Sequence, residues 1–244
     1  MVLSKTPNTV DFSTLEMTCA YLSEQKARMR YKYIKGADAA LSTALTQRGW
    51  RRFGEYYSRP QCAGCEACLS LRIDAENFEF TKNARRVFRK NLSTRIYIRP
   101  PSLTPQHLDL YNRYHIHMRE KRGWKHYQLS MQSYYELYVA GHGAFGQEIL
   151  YFVDQQLVGV DLVDMLEDGL SSIYFFYDPD FAHLSLGKYS LYQQIFLAQK
   201  HHLRWVYLGY YVKECPSLRY KSEYKPHQIL QGLPQLDQEP LWLP

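Results

Sequence analysis

From residue 147 to residue 208 the chain reads as a fixed succession of strand-length apolar runs separated by short polar turns. Residues 147–153 predict a strand, Asp154-Gln155-Gln156 a turn, and residues 157–164 a second strand. The acidic loop Glu167-Asp168-Gly169 leads into a third strand at 170–177, which Asp178-Pro179-Asp180 ends. Residues 187–201 predict a helix with Leu191, Ile195 and Ala198 on one face, and residues 204–208 a further strand. Short turns force neighbouring strands to run antiparallel, whereas the helix carries the chain back beside the sheet. The apolar runs, such as 157–163 and 173–177, are far too short to cross a membrane. No membrane partner is therefore expected.

The first hundred residues read differently. They are basic and irregular, with helices predicted at 38–47 and 81–92 and short strands at 69–73 and 95–98. Helices at 105–121, opened by Thr104-Pro105, and at 130–138 join the two sections. The tail after Gly232 is Pro-rich and is expected to be loose. Two regions are anticipated, 1–100 and 101–244, able to pack as one unit. The net charge of +6 hides a split: residues 1–130 carry 23 Lys+Arg against 11 Asp+Glu, and residues 131–244 carry 7 against 13. Such polarity suits a polyanion at the first half. The surplus of 22 tyrosines offers rings for stacking on bases or lining a polar pocket, though most are expected in the core.

The segment Cys62-Ala63-Gly64-Cys65-Glu66-Ala67-Cys68 places three thiols two residues apart, with Cys19 upstream. Cys19, Cys62, Cys65 and Cys68 could form a structural zinc or iron–sulfur site. The other reading is a set of reduced thiols packing a small module. The amino-terminal residues 1–6 lack the apolar run of a secretory signal, so a reducing, cytoplasmic setting is expected, and an odd total of five cysteines argues against a disulfide framework.

Three antiparallel strands, a helix and a returning strand are the core order of the Gcn5-related N-acyltransferase fold. The expected class is α+β, a basic Cys-containing N-terminal module plus an acyltransferase-like domain of that kind. Enzymes of that fold that use CoA hold its pyrophosphate on a glycine-rich loop before the long helix. Here that loop is Leu184-Ser185-Leu186-Gly187-Lys188-Tyr189-Ser190, with a single glycine. CoA is therefore not expected, and a charged tRNA becomes the candidate acyl carrier.

The long stretch Asp168-Gly169-Leu170-Ser171-Ser172-Ile173-Tyr174-Phe175-Phe176-Tyr177-Asp178-Pro179-Asp180 resembles the aminoacyl-tRNA–protein transferase family. So do Leu157-Val158-Gly159-Val160, Val206-Tyr207-Leu208-Gly209-Tyr210, Arg219-Tyr220-Lys221, Arg48-Gly49-Trp50-Arg51-Arg52 and the cysteine run, and the resemblance covers about residues 15–232. Local departures include Ser23, Phe53, Ser70 and Thr81-Lys82-Asn83-Ala84-Arg85-Arg86. Length and the cysteine spacing resemble the family's bacterial branch. The resemblance implies transfer of leucine from leucyl-tRNA to the α-amine of proteins beginning with Asp or Glu, which marks them for degradation. Arginine as donor, or a non-catalytic tRNA-binding module, are the alternatives.

That reaction needs little acid–base power. An α-amine has a pKa of about 7.7–8.0 and an aminoacyl ester is already activated, so positioning worth an effective molarity of ~10⁵ M or more should dominate. No cofactor is required for the chemistry. Asp164, ending an apolar strand, is the candidate for orienting or deprotonating the amine, or else a strand-end cap. Ser172, Tyr174 and Tyr177 are candidates for the remaining proton handling. Arg52, Arg72, Arg219 and Lys221 are candidate cations for the acceptor's acidic side chain, and Tyr207 and Tyr210 candidate pocket walls. Arg85, Arg86, Arg89 and Lys90 are the candidate contacts to tRNA phosphates.

Overall fold

The structure is a computed structural model and describes residues 8–125 and 128–244. Residues 1–6, read as lacking a signal sequence, lie outside the described residues. The elements in chain order are β1 (Thr9–Ser13), β2 (Met17–Thr18), β3 (Lys26–Ala27), β4 (Met29–Ile34), α1 (Ala39–Gln47), β5 (Arg51–Phe53), β6 (Tyr56–Pro60) and β7 (Leu69–Asp74). There follow α2 (Lys82–Lys90), β8 (Arg95–Arg99), α3 (Pro105–Arg122), α4 (Met131–Tyr134), β9 (Gly146–Val153), β10 (Gln156–Met165) and β11 (Gly169–Tyr177). The chain ends with α5 (Leu186–Lys200), β12 (Trp205–Tyr211), β13 (His227–Leu230) and β14 (Trp242–Leu243). The result is a mixed α+β fold with a large sheet.

That sheet has eight strands in the order β14-β13-β7-β12-β11-β10-β9-β8. The hairpin β9–β10 turns through Asp154 and Gln155, both at positive φ (46° and 68°), the backbone that a tight two-residue hairpin needs. The carboxyl strand β12 pairs parallel to β11, and its other edge takes β7 antiparallel. Strands β7 and β8 both come from the first hundred residues, so the large sheet crosses residue 100. One apolar layer lies under α2 and α5, with Ala84, Val87, Ile195, Ala198, Leu71 and Val206. A second, under α3 and α4, gathers Leu110, Tyr111, Tyr134, Val160, Leu162 and Phe176.

Local chemistry explains the helix starts. Asp38, Thr81 and Thr104 each accept a backbone N–H of the first turn of α1, α2 and α3 through their side chains. Gly123 ends α3 in the left-handed conformation. The helix expected over 130–138 is two pieces: α4 is followed by a π-helical turn, Tyr135–Val139. That turn buries Tyr138 and Val139 against the aromatic layer.

Two expectations fail. The first section is not irregular: β1, β4, β6 and β5 form a four-stranded sheet. β1 is exposed, β4 half-buried and β6 buried from Tyr57 to Pro60, and β4, β5 and β6 are rich in basic residues and Tyr, so the sheet lacks a clean apolar alternation. The tail is not loose either. Trp242 on β14 is buried, its Nε1 donates to the Gln47 carbonyl at 3.1 Å, and β14 closes the edge of β13. Trp242→Ala should therefore lower stability by about 3–5 kcal/mol, as expected for deleting a buried tryptophan; urea denaturation would measure the loss.

Candidate active site

Strands β11 and β12 are paired only at Gly169–Trp205, Leu170–Val206 and Ser171–Tyr207. Beyond those residues they part. From Ser172 onward β11 is bonded to β10, whereas Gly209, Tyr210 and Tyr211 are bonded to β7 after a register shift. Backbone carbonyls that face such a gap need partners, because an unpaired buried polar group is costly.

Two cations supply them. Arg51, from β5 of the smaller sheet, donates its Nη2 to the Ser172 carbonyl. Gly209 has φ of +71°, and a Cβ built on it would lie 2.5 Å from the Arg51 Cζ and Nε. Only glycine admits both that backbone and that guanidinium. Lys221 comes from the 3₁₀ turn Arg219–Glu223 and donates its Nζ to the carbonyls of Leu208 (2.8 Å) and Tyr210 (2.7 Å). Burial and the Arg51 charge push the Lys221 ammonium down to about 7, against a smaller opposing effect from Cys215. The Arg51 Nη1 is buried with no hydrogen-bond partner among the described residues.

On the α5 side of the gap lies a polar chain. The Gln194 Nε2 donates to both Asp161 carboxylate oxygens (2.9 and 2.8 Å) and to the Ser172 Oγ (3.2 Å). The Gln194 Oε1 has no partner among the described residues. Burial pushes the Asp161 carboxyl up to about 7, with Gln194 pulling the other way.

The candidates named from sequence fall into three groups. The first is engaged within the protein. Arg52 and Asp164, expected as separate groups, are each other's partner: Nε and Nη2 hold the two carboxylate oxygens at 2.7 and 2.6 Å, both residues buried. The Arg52 Nη1 donates to the Gly54 carbonyl at 2.8 Å. Arg72 is sandwiched between Trp205 and Trp242, 3.6 and 4.4 Å from their ring centres, with Nε and Nη2 donating to the Gln228 Oε1. Tyr207 donates to Asp168 (2.7 Å), and Tyr210 to the carbonyls of Gly49 and Ser58. Tyr174 bonds the His115 Nε2 at 2.7 Å and stacks on Tyr138, and Tyr177 packs against Tyr114 and Phe175. Burial raises the pKa of Tyr174, Tyr207 and Tyr210, keeping their hydroxyls neutral.

The second group lies at the parting of the strands: Ser172, through its carbonyl and its Oγ, and Lys221. The third is at the surface. Arg219 is exposed. Arg85, Arg86, Arg89 and Lys90 are all exposed on α2, whose Ala84 and Val87 face the core, and the Lys90 Nζ also reaches the His183 carbonyl.

The thiols of Cys19, Cys62, Cys65 and Cys215 lie near that of Cys68. Burial, and the neighbouring Cys19, Cys62, Cys65 and Cys215, push the Cys68 thiol up to about 12. Cys62 exchanges weak hydrogen bonds with the Arg28 backbone, and Cys19 accepts from the Tyr21 N–H. Among the described residues no three His, Cys, Asp or Glu side chains are placed to hold one metal ion.

Sequence reading missed Arg51, Asp161 and Gln194. Arg51 precedes the Arg52 that it named, and only tertiary contact separates their environments. Asp161 was hidden inside an apolar run, where a lone buried carboxyl is itself a signal.

Two outcomes follow from these contacts. Asp164→Asn leaves the Arg52 guanidinium buried without its counter-ion and should cost about 3–5 kcal/mol in urea denaturation. Asp161 holds a proton more tightly folded than unfolded. Its contribution to stability is thus greatest below the unfolded carboxyl value of about 3.9, declines as pH rises to about 7, and is level above. Asp161→Asn should remove that decline from a stability profile measured across this range.

The family model described as arginine-tRNA-protein transferase, C terminus, matches residues 106–231, and that for the N terminus matches residues 17–86. An aspartate/glutamate leucyltransferase of Campylobacter jejuni (strain RM1221) is 49% identical over 234 residues, 96% of this chain and 98% of the relative. One from Helicobacter hepaticus is 40% identical over 96% of this chain and 97% of its own length. One from Pseudomonas syringae pv. syringae is 32% identical over 90% and 92%. Among solved structures, L-PGS from Bacillus licheniformis aligns at a TM-score of 0.41 with 11% identity, over 59% of this chain and 45% of that one, too loosely to carry an argument. With both halves matched by the family models and relatives alike along nearly their whole length, the chain belongs to the arginine-tRNA-protein transferase family.

Proposed function

We propose that this protein transfers leucine from leucyl-tRNA to the α-amine of proteins whose first residue is Asp or Glu, exposing a destabilising N-terminus for degradation. The observation that carries this reading is the 49% identity, across 98% of its length, to a relative named aspartate/glutamate leucyltransferase. The geometry supports it. The parting of β11 and β12 holds the Arg51 guanidinium, whose Nη1 has no partner among the described residues, a group whose chemistry suits a carboxylate. Positioning is then the main source of rate, since the ester arrives activated. Ser172, whose carbonyl takes Arg51, accepts from Gln194 through its Oγ.

The exposed face of α2, with Arg85, Arg86, Arg89 and Lys90, suits tRNA phosphates, a contact that is sequence-independent and weakened by salt. An N-acyltransferase-like core is supported by the order β9, β10, β11, α5, β12. CoA as carrier is disfavoured by the single glycine, Gly187, in the segment that opens α5, where a glycine-rich loop would be needed. We read the cysteine segment as a scaffold for the N-terminal sheet. Among the described residues no helix is long and apolar enough to cross a membrane. Arginine as donor is the second reading, favoured by the description of the family models.

Purified protein given leucyl-tRNA or arginyl-tRNA and peptides beginning with Asp, Glu or Ala should move leucine to the first two peptides only. Arginine transfer alone would establish the second reading, and transfer from neither would refute both. Replacing Arg85, Arg86 and Arg89 together with Glu should weaken tRNA binding at least tenfold and flatten its dependence on salt, measured by filter binding.

A further inference from the structure

We propose that the Lys221 amine is the proton acceptor for the attacking α-amine, a role that rests on the transferase reading above. The argument begins with a count of hydrogens. A neutral lysine amine carries two N–H bonds and one lone pair, whereas an ammonium carries three N–H bonds and no lone pair. Lys221 has two carbonyl acceptors, Leu208 at 2.8 Å and Tyr210 at 2.7 Å. Those two carbonyls satisfy every N–H of the neutral form and leave the lone pair in a third direction.

The surroundings favour the same form. The charged group acting on the amine from β5 is the Arg51 guanidinium, which opposes a second positive charge, and Cys215, from the segment after β12, acts weakly the other way. Burial is the larger influence and also disfavours the ammonium. The two carbonyls that hold the amine lie two residues apart on β12, next to the register shift against β7 between Tyr207 and Gly209, and so face one edge of the strand. The amine is therefore fixed beside the parting of β11 and β12, on the same strand segment that accommodates Arg51. A half-buried lysine that loses its proton near neutral pH is suited to general-base work.

The step balances without a further reactant. The α-amine nitrogen bonds to the ester carbonyl carbon, and its surplus proton passes to the Lys221 lone pair. The carbon–oxygen bond to the ribose then breaks, and the new Lys221 ammonium returns the proton to the departing ribose oxygen. An acceptor carboxylate held by Arg51 would bring the amine within reach of this group.

Lys221→Arg separates the role from a merely structural one. Arginine can donate to both carbonyls but does not give up its proton at working pH. With preformed leucyl-tRNA and a saturating peptide beginning with Asp, the variant should bind both substrates and melt like the wild type. Its single-turnover transfer should fall about 100-fold or more, the usual size of a lost general base. In parallel, wild-type protein carrying ¹³Cε-lysine should show one resonance titrating near pH 7, absent from Lys221→Arg.

Transfer by Lys221→Arg within threefold of wild type would overturn the proposal, leaving Lys221 as a cap on two carbonyls. Wild-type lysine resonances that all titrate above about pH 9 would overturn it too, even if the variant failed to fold. No transfer by the wild type would instead strike down the transferase reading, and the base role with it.

Discussion

The incomplete pairing of β11 with β12 is the constraint on which the site depends. A parallel pair that separates after three residues leaves carbonyls facing inward with no strand to bond them. The chain meets that demand with cations. Arg51 takes the Ser172 carbonyl, and Lys221 takes those of Leu208 and Tyr210. Gly209 makes room for the guanidinium, where a Cβ would meet it. Positive charge beside the gap is thus a consequence of it.

The excess of basic residues in the first half of the chain has two separate uses. Arg51, Arg52 and Arg72 point inward. Arg52 ties the small sheet to β10 through Asp164, and Arg72 stacks between Trp205 and Trp242. Arg59 does the same for the tail, lying 4.6 Å from the Trp50 ring and donating to the Pro234 carbonyl. Arg85, Arg86, Arg89 and Lys90 point outward on α2. Net charge reports the sum of these and cannot divide it, because a buried paired guanidinium and a solvated one count alike.

Much of the carboxyl-terminal section was legible in the chain. The strands β9, β10, β11 and β12 and the helix α5 fall where apolar runs, turn residues and helical spacing place them. They are legible because each buries a continuous apolar face. β1, β4 and β6 of the N-terminal sheet were not, since they carry polar and basic residues without a continuous apolar face, and neither was β14, whose buried Trp242 sits in a Pro-rich tail. Among the site candidates, Asp164 and Arg52 were found by residue type but not as partners, because the two lie 112 residues apart in the chain. Asp161 escaped notice for the opposite reason: it sits in an apolar run that reads as ordinary core.

The sequence by itself determined the family, the order of the core elements and the division of charge, since these reside in local pattern and in long matching motifs. It also supplied every group that the site uses. Only the tertiary structure decided which cation does what. Arg51 and Arg52 are chemically identical and adjacent, yet the alternation of a strand sends one to a gap in the sheet and the other to a carboxylate. Lys221 is one lysine among many until two backbone carbonyls and a neighbouring guanidinium surround it. Such environments arise from residues distant in the chain, and no local pattern encodes them.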